Sequence, residues 1–208
     1  MTRIFFNRIL FLIALLAGTI ATMQGAETAA SVLDRASAKI RNDKSIVSTY
    51  TISADGHLQS GTLTIAGDRF ILTSPQISSW YDGKTQWTYS TQTGEVNITE
   101  PTPEELQQVN PFAIINSFRK LYKASLLKAP ASEKKIKLTA SNPKSDIKSV
   151  VLALNASTLY PTSIELTMSN RRTVTIHVTS TKSGGLLPVT DFRFNPKKYP
   201  GVPVVDLR

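Results

Sequence analysis

The sequence predicts a mainly β fold of the α+β kind: about ten strands in one curling antiparallel sheet, an N-terminal helix, and a helical insertion in mid-chain. Three observations point there. Between Tyr50 and Phe194, apolar residues alternate with polar ones in short runs, as in Tyr50, Ile52 and Ala54 or Val174, Ile176 and Val178. Turn formers separate the runs at hairpin spacing: Asp55-Gly56, Gly67-Asp68, Asp82-Gly83, Thr93-Gly94, Asn142-Pro143 and Ser169-Asn170. Two segments, Thr28 to Ile40 and Pro111 to Tyr122, instead repeat every three to four residues. Each strand is apolar on one side only, so the sheet has one solvated face and is not a parallel sheet buried on both sides. A sheet this wide curls, and the two amphipathic helices are available to cover its apolar side.

In the first helix Val32, Ala36 and Ile40 recur every four residues beside Leu33, and Asn42-Asp43-Lys44 ends it. Strands follow at Tyr50 to Ala54, at Leu58, Leu63 and Ile65 with Gly61 as a bulge or bend, and at Arg69 to Thr73, where Pro75 breaks the run. Residues 80–98 then form a three-stranded meander that holds both tryptophans. Asp82-Gly83 reads as its tight turn, because glycine accepts the positive φ that a twist-matched hairpin needs. Trp87 and Tyr89 share one strand face, Gln86 and Thr88 the other. The aromatic face is either ordinary core or a wall against a ligand.

The period changes after Ile98. Thr102-Pro103-Glu104-Glu105 starts a short helix, with Thr102 as cap and Glu105 as the capping-box carboxylate. Asn110 caps the next helix with Pro111 at its first position, and Phe112, Ile115, Phe118 and Tyr122 line one side. Alternation returns at Ile136 to Ala140, Val150 to Leu154, Ile164 to Met168 and Val174 to Val178. Phe192 and Phe194 read as a short strand before a proline-rich tail ending in Val204-Val205.

Composition narrows the function. Arg3, Arg8 and the apolar run from Ile9 to Ile20 have the form of a signal peptide over residues 1–26, leaving 27–208 as a single exported domain. The run is too short to span a bilayer comfortably. Without cysteine the chain has no lipobox, no disulfide, no thiolate metal site and no thiol nucleophile. His57 and His177 stand alone, and no nucleophile elbow, HExxH or phosphate-cradling loop occurs, so neither an enzyme nor a metal or cofactor is expected. Net charge is +9, with the basic residues dispersed. For an exported chain this fits a soluble surface, an anionic membrane or an acidic protein better than a nucleic acid.

Four stretches resemble the LolA-type periplasmic carriers of outer-membrane lipoproteins, in a divergent form. These are the helix beginning Ala29-Ala30-Ser31-Val32-Leu33; Tyr81-Asp82-Gly83-Lys84-Thr85-Gln86-Trp87-Thr88-Tyr89, the most specific; Asn110-Pro111-Phe112-Ala113-Ile114-Ile115; and Phe192-Arg193-Phe194-Asn195-Pro196 with Gly201-Val202 and Asp206. Residues 123–134 have no counterpart. The resemblance implies an unclosed antiparallel β-barrel of about eleven strands with a helical lid, whose apolar cavity holds acyl chains. It also implies a monomer that receives lipoproteins from an inner-membrane releasing transporter and passes them to an outer-membrane acceptor. The alternative is a lipid-binding or envelope-stress sensing regulator of the same fold.

The expected cavity residues are Tyr50, Ile52, Leu63, Ile65, Phe70, Leu72, Trp87, Tyr89, Leu152, Leu166, Met168 and Ile176 on strands, with Phe112, Ile115 and Phe118 on a lid held by apolar contact. The family's arginine that ties lid to barrel has Arg69 as its candidate here.

Overall fold

The computed structural model describes residues 27–110 and 112–208; the expected signal peptide and Pro111 lie outside the described residues. Helix α1 (Ala29–Asn42) starts at Thr28, whose hydroxyl accepts the Ser31 amide at 3.1 Å while Ser31 Oγ accepts the Thr28 amide at 3.2 Å. This reciprocal cap satisfies two of the donors that a helix start leaves open. Lys39 and Arg41 occupy the last turn, where the helix dipole favours cations.

Six strands then run as an antiparallel meander: β1 (Ser45–Ala54), β2 (His57–Ala66), β3 (Arg69–Thr73), β4 (Ile77–Tyr81), β5 (Gln86–Ser90) and β6 (Glu95–Thr99). Helices α2 (Pro103–Val109) and α3 (Ala113–Leu121) follow. A second meander comprises β7 (Tyr122–Leu127), β8 (Glu133–Ala140), β9 (Ile147–Asn155), β10 (Pro161–Met168) and β11 (Thr173–Gly184). The tail forms two 3-10 turns, Val189–Phe192 and Pro196–Lys198, and a last strand β12 (Val204–Asp206).

The twelve strands of the described residues join one sheet in the order β12-β6-β5-β4-β3-β2-β1-β11-β10-β9-β8-β7. Strand β11 pairs with β1, so the second meander returns to the start of the first, and β7 and β12 are left as two free edges. The fold is therefore a mainly β, unclosed sheet with an N-terminal helix, as anticipated. The α2–α3 insertion carries the chain from β6, beside one edge, to β7 at the other.

Pairing register decides the faces. One inner row runs Ile46, Ile65, Phe70, Tyr81, Gln86, Thr99, and the next Ser48, Leu63, Leu72, Ser79, Thr88, Asn97. In the other half a row runs Ile52, Ile176, Ile164, Leu152, Ile136, Leu126. Inner residues from β3 and from β8 belong to one buried cluster with Val32 and Leu33 of α1 and Ile115 and Phe118 of α3. The sheet thus wraps around its helices. Towards β5 and β6 the inner face turns polar, and Gln86 Nε2 donates to Ser79 Oγ and Thr88 Oγ1, both at 3.0 Å.

The structure corrects several local expectations. Tyr122 opens β7 instead of closing the helix, so the stretch with no family counterpart begins as an edge strand. Helix α3 begins at Ala113, and Asn110 acts one step earlier, its Oδ1 accepting the Phe112 amide at 3.1 Å. Phe192 closes a 3-10 turn and Phe194 is outside any strand; the tail strand is β12, parallel to β6. The Asp82-Gly83 hairpin is a four-residue loop in which Asp82 Oδ1 accepts the Lys84 and Thr85 amides at 3.1 and 3.0 Å. Gly61 is not a bulge. It pairs directly with Tyr50, and any Cβ there would lie 2.4 Å from the Tyr50 hydroxyl.

Candidate functional site

A cavity of about 270 Å³ opens at the end of the sheet where the β2–β3 and β4–β5 turns meet the helices. Ile65 and Phe70 form its strand wall, with Gly67 and Asp68 at the turn. Pro103 and Leu106 of α2 and Phe112, Ala113 and Asn116 at the start of α3 form its roof. Ile40 of α1, Tyr81 and Gly83 close it. The inner phase of β2 and β3 aims Ile65 and Phe70 here, and Phe70 stacks on Tyr81 with ring centroids 5.4 Å apart.

The buried polar groups at the cavity are already engaged. The Tyr81 hydroxyl donates to the Gly83 carbonyl at 2.9 Å. Burial, then the charges of Asp68 and Asp82, raise its phenol above the ordinary tyrosine range, so it stays a neutral donor. Burial would also raise the Asp82 carboxyl, but the Thr85 and Lys84 amides and Arg193 outweigh it and hold that carboxyl low. Among the described residues no buried side-chain nitrogen or oxygen lacks a partner. The cavity wall is mainly apolar, with Asp68 and Arg69 at its rim, which suits a hydrocarbon ligand with a polar end.

The roof is held by polar contacts at its rim. Arg119 of α3 grips Asp34 of α1 with two nitrogens, its Nε donating to Oδ1 at 3.0 Å. The Asp34 carboxyl is held low chiefly by that hydrogen bond. Ser37 Oγ donates to Asn116 Oδ1 at 2.8 Å. On the other side the Tyr122 hydroxyl donates to Gln107 Oε1 at 2.6 Å, Gln107 Nε2 donates to Ser117 Oγ at 2.8 Å, and Ser117 Oγ donates to the Ala113 carbonyl at 2.9 Å. That chain links β7, α2 and α3. Burial, then the Glu104 charge, push the Tyr122 phenol up to about 12.

Of the residues expected to line a cavity, Ile65, Phe70 and Phe112 do so. Tyr50, Leu63, Leu72, Ile115, Phe118, Leu152, Leu166 and Ile176 are buried in the same cluster, and Ile52 and Met168 pack against it. Trp87 and Tyr89 are elsewhere. Register places Trp87 in an outer row with Thr64, Ile71, Trp80 and Ile98. There the tail covers the aromatic face: Tyr199 lies 5.7 Å from Trp80 and 5.0 Å from Tyr89, and Phe194 lies 5.6 Å from Trp80. Periodicity paired Trp87 with Tyr89 correctly but says nothing of which side faces inward.

Arg69 likewise points to the outer side. Its Nε donates to the Ala66 carbonyl at 3.3 Å, and its guanidinium lies 5.1 Å over the Phe192 ring. It lines the cavity rim, but those contacts bind turn and tail, and the helix clasp is Asp34 with Arg119. The lid is thus not held by apolar contact alone. Sequence reasoning missed Tyr81 as a wall residue, although as Trp80's immediate neighbour in the strand it must face the opposite side.

Residues 19–170 match the family model described as outer membrane lipoprotein carrier protein LolA. The chain belongs to that family. No curated protein matches it in sequence. An uncharacterized conserved protein from Thermus thermophilus superposes with a TM-score of 0.58 at 12% identity, over 84% of this chain and 96% of its own. A putative outer membrane lipoprotein-sorting protein domain from Vibrio parahaemolyticus gives 0.49 at 10% identity, over 79% and 96%. A LolA superfamily protein from Nitrosomonas europaea gives 0.43 at 15% identity, over 81% and 99%. At such identities the likeness is one of fold, and the Thermus structure carries it.

Proposed function

We propose that this LolA-family chain is a periplasmic carrier that shelters the acyl chains of lipoproteins beneath α2 and α3. It takes them from an inner-membrane releasing transporter and yields them to an outer-membrane acceptor, by binding rather than turnover. The observation that supports this best is the apolar cavity roofed by α2 and α3, whose buried polar side chains are already paired. At about 270 Å³ it lies at the small end of ligand sites, below what several acyl chains need.

Loading therefore requires α3 to lift, and magnitudes say what can lift it. Ile114, Ile115 and Phe118 are buried on α3. At about 1.5–3 kcal/mol each, exposing all three to water costs roughly 5–9 kcal/mol. An acyl chain of about sixteen carbons gains on the order of 12 kcal/mol on leaving water. Cargo can offset the opening, and water alone rarely will.

The test is a lock. Ser37→Cys with Asn116→Cys joins α1 to α3 where those side chains already meet, and no native cysteine interferes. Loading of an acylated peptide should be slowed at least about tenfold in the oxidised protein and restored on reduction. Normal loading while locked would refute a moving α3, and failure of the wild-type protein to bind any acylated peptide would refute the carrier reading.

A further inference from the structure

The geometry points to residues 186–189 as a membrane tip: a short apolar loop that seats in the interface of an anionic bilayer and brings the cavity mouth to it. The inference rests on the carrier reading of the cavity.

The loop reads Leu186-Leu187-Pro188-Val189, four apolar residues in a row. Leu186 is 81% exposed, more than any other large hydrophobic residue described, and Val189 is 47% exposed. Burial in this chain explains neither side chain. The loop is nonetheless moored on both sides. Before it, Ser45 Oγ donates to the Gly185 carbonyl at 2.7 Å. After it, Phe192 is fully buried under the Arg69 guanidinium, and Arg193 Nε donates to Asp82 Oδ2 at 2.9 Å. Arg69 and Gly83, the neighbour of Asp82, both line the cavity. The exposed apolar pair is thus fixed beside the cavity mouth.

A bilayer fits this tip better than a protein does. Two exposed side chains on one loop are far below the area of a stable protein interface, whereas single apolar side chains partition into a membrane interface one at a time. Charge agrees. From residue 182 to the end, Arg193 and Arg208 are matched by their ion-pair partners Asp82 and Asp206, and Lys182, Lys197 and Lys198 stand against Asp191, leaving two positive charges in surplus. Exposed Lys44 adjoins Ser45 at the same end. A positive surplus on the segment that carries the apolar tip favours anionic headgroups, and salt weakens that attraction.

The experiment is flotation of the protein with vesicles of phosphatidylcholine alone or with about one-third phosphatidylglycerol. Leu58, 71% exposed on β2 beside the turn at the opposite end of that strand, supplies the control. Wild-type protein and Leu58→Glu should float with the anionic vesicles, less so at high salt, and Leu186→Glu and Val189→Glu should partition roughly tenfold more weakly. Absence of wild-type flotation would overturn the tip, as would equal losses for Leu58→Glu or none for the tip variants. Binding of a fluorescent fatty acid without vesicles separates the two readings. Tip variants should bind it like wild type. If none of the proteins binds it while tip substitutions still abolish flotation, the carrier reading fails and the tip stands.

Discussion

Tyr122 shows how one side chain can serve both stability and the cover. Its ring is buried in the core and its hydroxyl donates to the buried Gln107, which in turn donates to Ser117. Tyr122→Phe keeps the ring but leaves Gln107 Oε1 without its donor. A buried acceptor left unsatisfied costs about 1–3 kcal/mol, so the variant should lose that much in urea unfolding with an unchanged m-value. Asp82 makes a prediction in pH. Its folded carboxyl is held below the usual range, because the Thr85 and Lys84 amides and Arg193 outweigh burial. A depressed carboxylate contributes stability above its unfolded value, about 4, and loses it as pH falls through the lower folded value. Thermal melts taken from neutral pH downward should show wild type losing part of its margin over Asp82→Asn below about pH 4. A margin constant to pH 2 would show that the carboxylate charge is not what fastens this loop.

Elements differ in how far their sequence reveals them. The Thr102-Glu105 cap was readable because it is local: the Thr102 amide donates to Glu105 Oε2 at 2.7 Å, as the spacing anticipates. The stripe of α1 and the inner phases of β1, β2 and β9 were readable because period two and period 3.6 differ plainly. Strand β7 was not, since Tyr122 continues the apolar side of α3 and only its pairing with Ala140 makes it a strand. Nor was β12, three residues whose order comes entirely from β6. The cavity was half legible: Ile65, Phe70 and Phe112 have the right phase, but Asn116 and Ser117 line it too and, being polar, stand outside the apolar stripe that periodicity picks out on α3. The meander face was inverted, since the tail partners of Trp80 and Tyr89 are about a hundred residues away. That inversion has an observable consequence. Tyr199 packs on Trp80 and Tyr89, so Tyr199→Ala should shift tryptophan emission to the red. Loading with acylated peptide should leave the wild-type emission nearly unchanged, and a large cargo-induced shift would return Trp87 or Trp80 to the cavity.

At the scale of the whole molecule, an open sheet of twelve strands holds its core only while α1 and α3 lie along its inner face. The two parts are secured differently. Strands β1, β9 and β10 are each flanked by two hydrogen-bonded neighbours, so releasing their amides requires breaking the sheet. Helix α3 has nine residues and no side-chain cap at its start, and its charged contact to α1 is exposed: the Arg119 and Asp34 side chains are 65% and 47% accessible. Exposed pairs contribute little and are weakened by salt. The cover is accordingly the low-stability unit, held mainly by the apolar face that cargo would replace. Hydrogen exchange should resolve this directly. Adding acylated peptide should raise exchange at α3 amides several-fold, from Ala113 to Leu121, while β9 and β10 amides keep their protection or gain some from bound-state stabilisation. Raising salt without cargo should speed α3 slightly and leave the strands unchanged. If cargo instead slowed exchange across α3 as much as across the strands, the chains would be entering beneath a helix that stays in place, and the opening would have to lie between β7 and β12.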